Sequence, residues 1–185
     1  MARKNRERER DEQLAESRER AKAWPGPISL EGLTELAASA DTRERRLALA
    51  LMQREIYERD VPAFHFFPLA RRLVGDPDNI CRWQALFVVS ECDDTHLAAV
   101  LEVCAEHADS ADADMRAGIA CVVLEHVLDR HFDEALPWLR EQARGASANF
   151  EETIRLCSYA GHDGERGRRV EQVLRNAARG RRARD

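Results

Sequence analysis

Cys92-x-x-x-His96 and Cys104-x-x-His107 have spacings that a helix can use to bring thiolate and imidazole onto one metal ion. Four such ligands from adjacent helices would make a tetrahedral zinc site. Asp93-Asp94 argues against it, because the pair reads as a break between two helices and spoils the first spacing. No Cys-x-x-Cys pair is present. Cys81, Cys104, Cys121 and Cys157 fall beside apolar helix positions, where a free cysteine acts as a small hydrophobe. No metal and no cofactor is therefore expected. Five cysteines, and a start MARKNRERER without an apolar stretch, do not fit a secreted disulfide framework. Reduced thiols in a cytoplasmic protein are the reading. No nucleophile elbow, phosphate-cradling glycine loop or His-Glu-x-x-His motif occurs, so no catalytic residue is assigned. His65-Phe66-Phe67-Pro68 is the most aromatic stretch. His65 and Phe66 are candidates for an exposed anchor on a partner, with core packing as the competing reading.

Helices must position these side chains. No run of about 18 apolar residues exists, so no membrane-spanning helix is expected. Residues 1–23 hold eight Lys/Arg and six Asp/Glu, with Leu14 as the one large aliphatic residue. The arm 1–27 is read as a frayed helix or disordered. Trp24-Pro25-Gly26-Pro27 breaks the chain. From Ser29 the apolar residues recur at helical spacing, as in Leu30-Leu33-Leu36 and Leu47-Leu51. Ser29, Asp41, Asp60, Asp78, Asp94, Asp112, Asp133, Asn149 and Asp163 are predicted caps. Pro68 is predicted to kink or split its helix, and Gly75 to end it. No segment alternates with period two. The chain reads as all-α, with short helices over 28–179 and a basic tail over 180–185.

An internal repeat organises these helices. Asp41-x-x-x-Arg45-x-x-Ala48 recurs as Asp78-x-x-x-Arg82-x-x-Ala85 and as Asp112-x-x-x-Arg116. Glu151-x-x-x-Arg155 is a weaker fourth copy. The arginines stand 37, 34 and 39 residues apart. An acidic residue at a helix start meets free backbone N–H groups and the positive end of the dipole. An arginine one turn later shares its face and can reach the carboxylate of its own repeat or of the neighbour. The expected result is a ladder of charge-assisted hydrogen bonds beside an apolar core. Arg46, next to Arg45, blurs the register of the first copy.

The run from Asp76 to Leu86, DPDNICRWQAL, resembles the first-helix signature of HEAT-like repeats, including the short variety named after phycobilisome lyases. Asp112 to Arg116 and Asp41 to Leu51 match it more loosely. The resemblance implies a right-handed α-solenoid of about four helix pairs with an N-terminal capping helix and a concave binding surface. Family members with enzymatic roles set the alternative reading, a lyase partner or a DNA glycosylase relative. Glu106-His107 and Glu125-His126 resemble, in reverse order, the His-Glu pairs with which HEAT-like deoxyhypusine hydroxylases hold iron. They stand at unmatched repeat positions.

Charge separates these readings. The net charge of -5 divides into +2 on residues 1–22, -12 on 23–164 and +5 on 165–185. Asp76 to Glu134 alone carries 14 carboxylates against Arg82, Arg116 and Arg130. A body of that sign repels phosphate backbones and attracts a basic protein. Asp76, Asp93, Asp94, Asp109, Asp112 and Asp114 are the candidate partner-binding residues. The C-terminal arginines, Arg166 to Arg184, are the one segment suited to nucleic acid or acidic lipid, and such a tail is more often solvated or folded back on the acidic body. The expected function is a non-enzymatic scaffold that binds a basic protein through its acidic surface.

Overall fold

Helix starts are determined over a few residues, and four of the predicted ones stand in the structure. The computed structural model describes residues 2–145, 147–157 and 164–182. Ser29, Asp41, Asp78 and Asp112 have extended backbones, and their side-chain oxygens accept from N–H groups two or three residues ahead. They satisfy donors that the first helical turn cannot pair internally. The helices are α1 (Ala2–Ala23), α2 (Leu30–Ala38), α3 (Thr42–Arg59), α4 (Phe67–Val74), α5 (Asn79–Ser90) and α6 (Asp93–His107). They continue as α7 (Ala113–Gly118), a π-helical segment Ile119–Leu124, α8 (Glu125–Arg130), α9 (Phe132–Ala143), α10 (Ala148–Leu156) and α11 (Glu165–Arg182). No strand occurs among the described residues, and the chain is all-α.

Four predicted starts are corrected. Asp60 ends α3 in the left-handed region, at φ 54°, instead of opening a helix. Aspartate tolerates that conformation better than most residues. A 3₁₀ turn, Ala63–His65, follows. Pro68 lies in the first turn of α4, where its missing N–H costs no helical bond, so it neither kinks nor splits that helix. Asp94 lies inside α6, whose backbone leaves helical geometry at His96 (φ -137°, ψ 37°). His131 and Ser147 flank α9 and α10, which leaves Asp133 and Asn149 inside those helices. Asp163 lies outside the described residues.

The chain forms two compact units, residues 1–92 and 93–185. In the first, α1 and α2 pack on α3, and α3 and α4 pack on α5. Its core includes Leu33, Leu47, Leu51, Met52, Val74 and Leu86, each 3% exposed or less. The arm expected to be frayed or disordered is helical from Ala2, and it buries Ser17 and Ala21. Small residues make its packing face. In the second unit α7, the π-helical segment and α8 run on without a break, and α6, α9 and α10 pack against this stretch. Ile119, Leu124, Leu128, Leu136, Leu139 and Ile154 form the core. Val170, Val173 and Leu174 seat α11. No helix among the described residues is long and apolar enough to cross a membrane.

Cys81, Cys92, Cys104 and Cys157 are buried and Cys121 is exposed. Burial pushes the Cys81, Cys104 and Cys157 thiols up, which suppresses the reactive thiolate. A thiol reagent at neutral pH is expected to label one cysteine per native chain and five in denaturant. Rapid labelling of three or more in the native chain would contradict this packing.

Candidate functional site

The repeated motif builds one device three times. In Ser39-Ala40-Asp41 and in Ser110-Ala111-Asp112, the serine hydroxyl accepts from the N–H of the capping Asp, at 3.1 Å in both. Arg45 Nη1 donates to the carbonyls of Ser39 and Ala40, each at 3.0 Å. Arg116 Nη1 donates to those of Ser110 and Ala111 at 2.8 and 3.2 Å. In the middle copy the Asp76 carboxylate takes the serine's place and accepts from the Asp78 N–H at 2.8 Å. There Arg82 Nη1 reaches the Asp76 carbonyl at 3.4 Å. Each arginine thus folds back from the first helical turn to hold the loop that feeds its own helix.

Two of these arginines, Arg45 and Arg116, and the neighbouring Arg46 also link forward to later helices. Arg45 meets Asp76 through two bonds of 2.6 and 3.1 Å. Arg46 meets Asp78 through bonds of 3.0 and 2.6 Å. Arg46 is therefore a rung and not a blur in the register. In the second unit Arg116 donates to Glu152 at 2.7 Å. The proposed fourth copy is not built this way. Ser147 caps α10, so Glu151 occupies the place that arginine holds in the other copies. Arg155 is half-exposed and stands 3.8 Å from Glu171.

Burial opposes the ionised form of Asp78, but Arg46 and the Cys81 N–H outweigh it and hold the carboxyl below the usual range. A depressed carboxyl contributes stability above its unfolded value, and loses it as pH falls through the folded one. Asp78→Asn keeps a capping residue and discards the ion pair. It is expected to cost about 1.5–3 kcal/mol at pH 7, with the difference from wild type closing below about pH 4. Equal urea midpoints for the two proteins at pH 7 would contradict this.

The residues offered to a partner divide by exposure. Asp94, Asp109, Asp112 and His65 are exposed, and Asp114 is half-buried. Asp76, Asp93 and Phe66 are buried at 7%, 1% and 5%, so none of the three is presented at a surface. Asp76 is consumed by Arg45. Phe66 packs into the first unit, while Phe64 stays exposed with its ring 4.3 Å from that of His65.

Asp93 lies at the start of α6 in a cluster that sequence reading does not assemble. His126 and His131 Nε2 stand 3.5 and 3.4 Å from its Oδ2, and Arg130 Nη1 stands 3.9 Å from Oδ1. His131 Nε2 is also 3.3 Å from Asp94 Oδ1, and Arg130 Nη2 donates to Asp94 Oδ2. Burial raises the Asp93 carboxyl against the pull of His126, Arg130 and His131. Asp93, Asp94 and His131 are the described residues whose ligand atoms converge closely enough to hold an ion. The Cys92/His96 and Cys104/His107 spacings do not converge in this way among the described residues.

The basic C-terminal stretch contributes to the second unit. Arg166 Nη1 donates to the Asp129 carbonyl at 2.8 Å and Arg169 Nη1 to the Asp133 carboxylate at 2.9 Å. Both guanidinium groups lie over the Phe132 ring, 5.2 and 4.9 Å from its centroid. Residues 183–185 lie outside the described residues. In comparisons with known proteins, the chain matches no protein-family model, no curated protein and no solved structure.

Proposed function

We propose that this chain is a non-enzymatic scaffold of HEAT-like helix pairs, wound as a right-handed solenoid, that binds a basic protein segment through its acidic surface. The fate of the arginines carries the reading. Arg45, Arg46 and Arg116 turn inward onto backbone carbonyls and neighbouring carboxylates. Glu102, Glu106, Asp109, Asp112, Asp129 and Glu134 of the second unit stay exposed. Within the stretch Asp76 to Glu134, Arg116 is buried in helix packing, and 14 carboxylates stand against three arginines. Such a surface speeds encounter with a basic partner and disfavours a phosphate backbone. The docking of Arg166 and Arg169 onto Asp129, Phe132 and Asp133 supports the reading from within the chain. There Arg169 meets a carboxylate and Arg166 a backbone carbonyl, with the Phe132 ring beneath both.

The test is selectivity. Fluorescence anisotropy with an arginine- and lysine-rich peptide, a glutamate-rich peptide of equal length and a DNA duplex is expected to show binding of the basic peptide alone. Preferential binding of the duplex would sink the reading.

A further inference from the structure

We propose that Asp93, Asp94 and His131 form a binding site for one divalent first-row transition ion, with Zn²⁺ as the reference occupant. The inference is independent of the scaffold reading. Asp93 is the anchor. Its side chain is 0% exposed, and neither carboxylate oxygen has a hydrogen-bond partner. A buried carboxylate in that state is costly unless a cation meets it. His131 Nε2 also lacks a hydrogen-bond partner. It lies 3.4 Å from Asp93 Oδ2 and 3.3 Å from Asp94 Oδ1.

Those separations are long for hydrogen bonds to a carboxylate. They match something else. Ligands of a tetrahedral ion bound at about 2.0–2.1 Å stand about 3.3–3.4 Å from one another. The three atoms already hold two edges of that figure at the right length. Arg130 does not compete for the same oxygens. Its guanidinium lies on Asp94 Oδ2 and towards Asp93 Oδ1, which leaves Asp94 Oδ1 and Asp93 Oδ2 facing His131. It acts as an outer partner that orients the ligating carboxylates. His126 is a neighbour and not a ligand. Its Nε2 lies 3.3 Å from Arg130 Nη1, from which it accepts when unprotonated.

Two carboxylates and one imidazole favour ions that take mixed oxygen and nitrogen donors. Ca²⁺ and Mg²⁺ prefer all-oxygen shells. Asp94 is exposed, so the fourth position opens to water or to a side chain of a bound protein.

Titration calorimetry of the full chain, first stripped with chelator, is expected to show one Zn²⁺ per chain. Asp93→Asn and His131→Ala are each expected to weaken binding at least tenfold, and His126→Ala to leave it unchanged. Asp94→Asn, at an exposed position, is expected to give the same loss without touching the core. Co²⁺ bound to the same site is expected to show no thiolate charge-transfer band. Absence of stoichiometric binding, undiminished binding in the Asp93, Asp94 and His131 variants, or a thiolate band placing the ion on cysteine would overturn the proposal.

Discussion

Arg45→Met is expected to destabilise the first unit by about 3–5 kcal/mol, the cost of leaving one partner of a buried ion pair uncompensated. The Arg45 and Asp76 side chains are 12% and 4% exposed, so solvent has little access to the Asp76 carboxylate. Removing the guanidinium strands the Asp76 carboxylate, which keeps only the Asp78 N–H. It also leaves the Ser39 and Ala40 carbonyls without their donor. Arg45→Lys is expected to recover only part of the loss, because an ammonium cannot meet the carboxylate through two parallel bonds while also capping two carbonyls. Urea unfolding followed by circular dichroism checks this. A midpoint shift worth less than about 1 kcal/mol, the scale of a surface pair, would show that the rung is not structural.

Arg54→Met is expected to cost a similar amount, about 3–5 kcal/mol, and to release the N-terminal helix. Arg54 is 7% exposed and donates to the carbonyls of Ala21, Trp24 and Gly26 at 2.6, 3.1 and 2.8 Å. These are the last turn of α1 and the break that follows it, so one guanidinium closes both. It also pairs with Glu55 at 2.7 Å, and Glu55 is 3% exposed. Without Arg54, Glu55 keeps only Arg59 at 3.5 Å. Loss of the anchor should therefore appear locally before it appears globally. Hydrogen exchange across Ala15–Ala23 is expected to accelerate under native conditions, together with tryptic cleavage at Arg18, Arg20 and Lys22. Unchanged exchange in that segment would contradict the anchoring role.

What was legible in the sequence was local. Ser29, Asp41, Asp78 and Asp112 cap as predicted because a cap needs only its own side chain and the next few N–H groups. Asp60 was ambiguous for the same reason, since aspartate can open a helix or end one in the left-handed region. The repeat spacing marked Arg45 and Arg116 as important, but their partners lie 31 and 36 residues further on. Spacing within a repeat cannot choose between Asp41 and Asp76. Arg54 left no trace in the sequence, because its partners are mostly backbone carbonyls, which every residue type carries. The Asp93 cluster was hidden in another way. Asp93 reads as one of several acidic surface residues until the fold buries it beside His126 and His131. The packing of the N-terminal arm left little trace in the sequence, because it rests on Ser17 and Ala21, which are small, and not on large apolar side chains.

The central claim, that the exposed carboxylates of the second unit bind a basic segment, is tested most directly by removing charge without removing structure. Asn caps a helix as well as Asp, so Asp109→Asn/Asp112→Asn/Asp114→Asn keeps the cap of α7 and the acceptor for Ser147. The measurement is the affinity of this variant and of wild type for one arginine- and lysine-rich peptide, at low and at physiological salt. Wild-type binding is expected to weaken steeply with salt. The triple variant is expected to bind at least tenfold more weakly at low salt while keeping the helical circular dichroism of wild type. Equal affinities for the two proteins, or wild-type binding indifferent to salt, would contradict the claim.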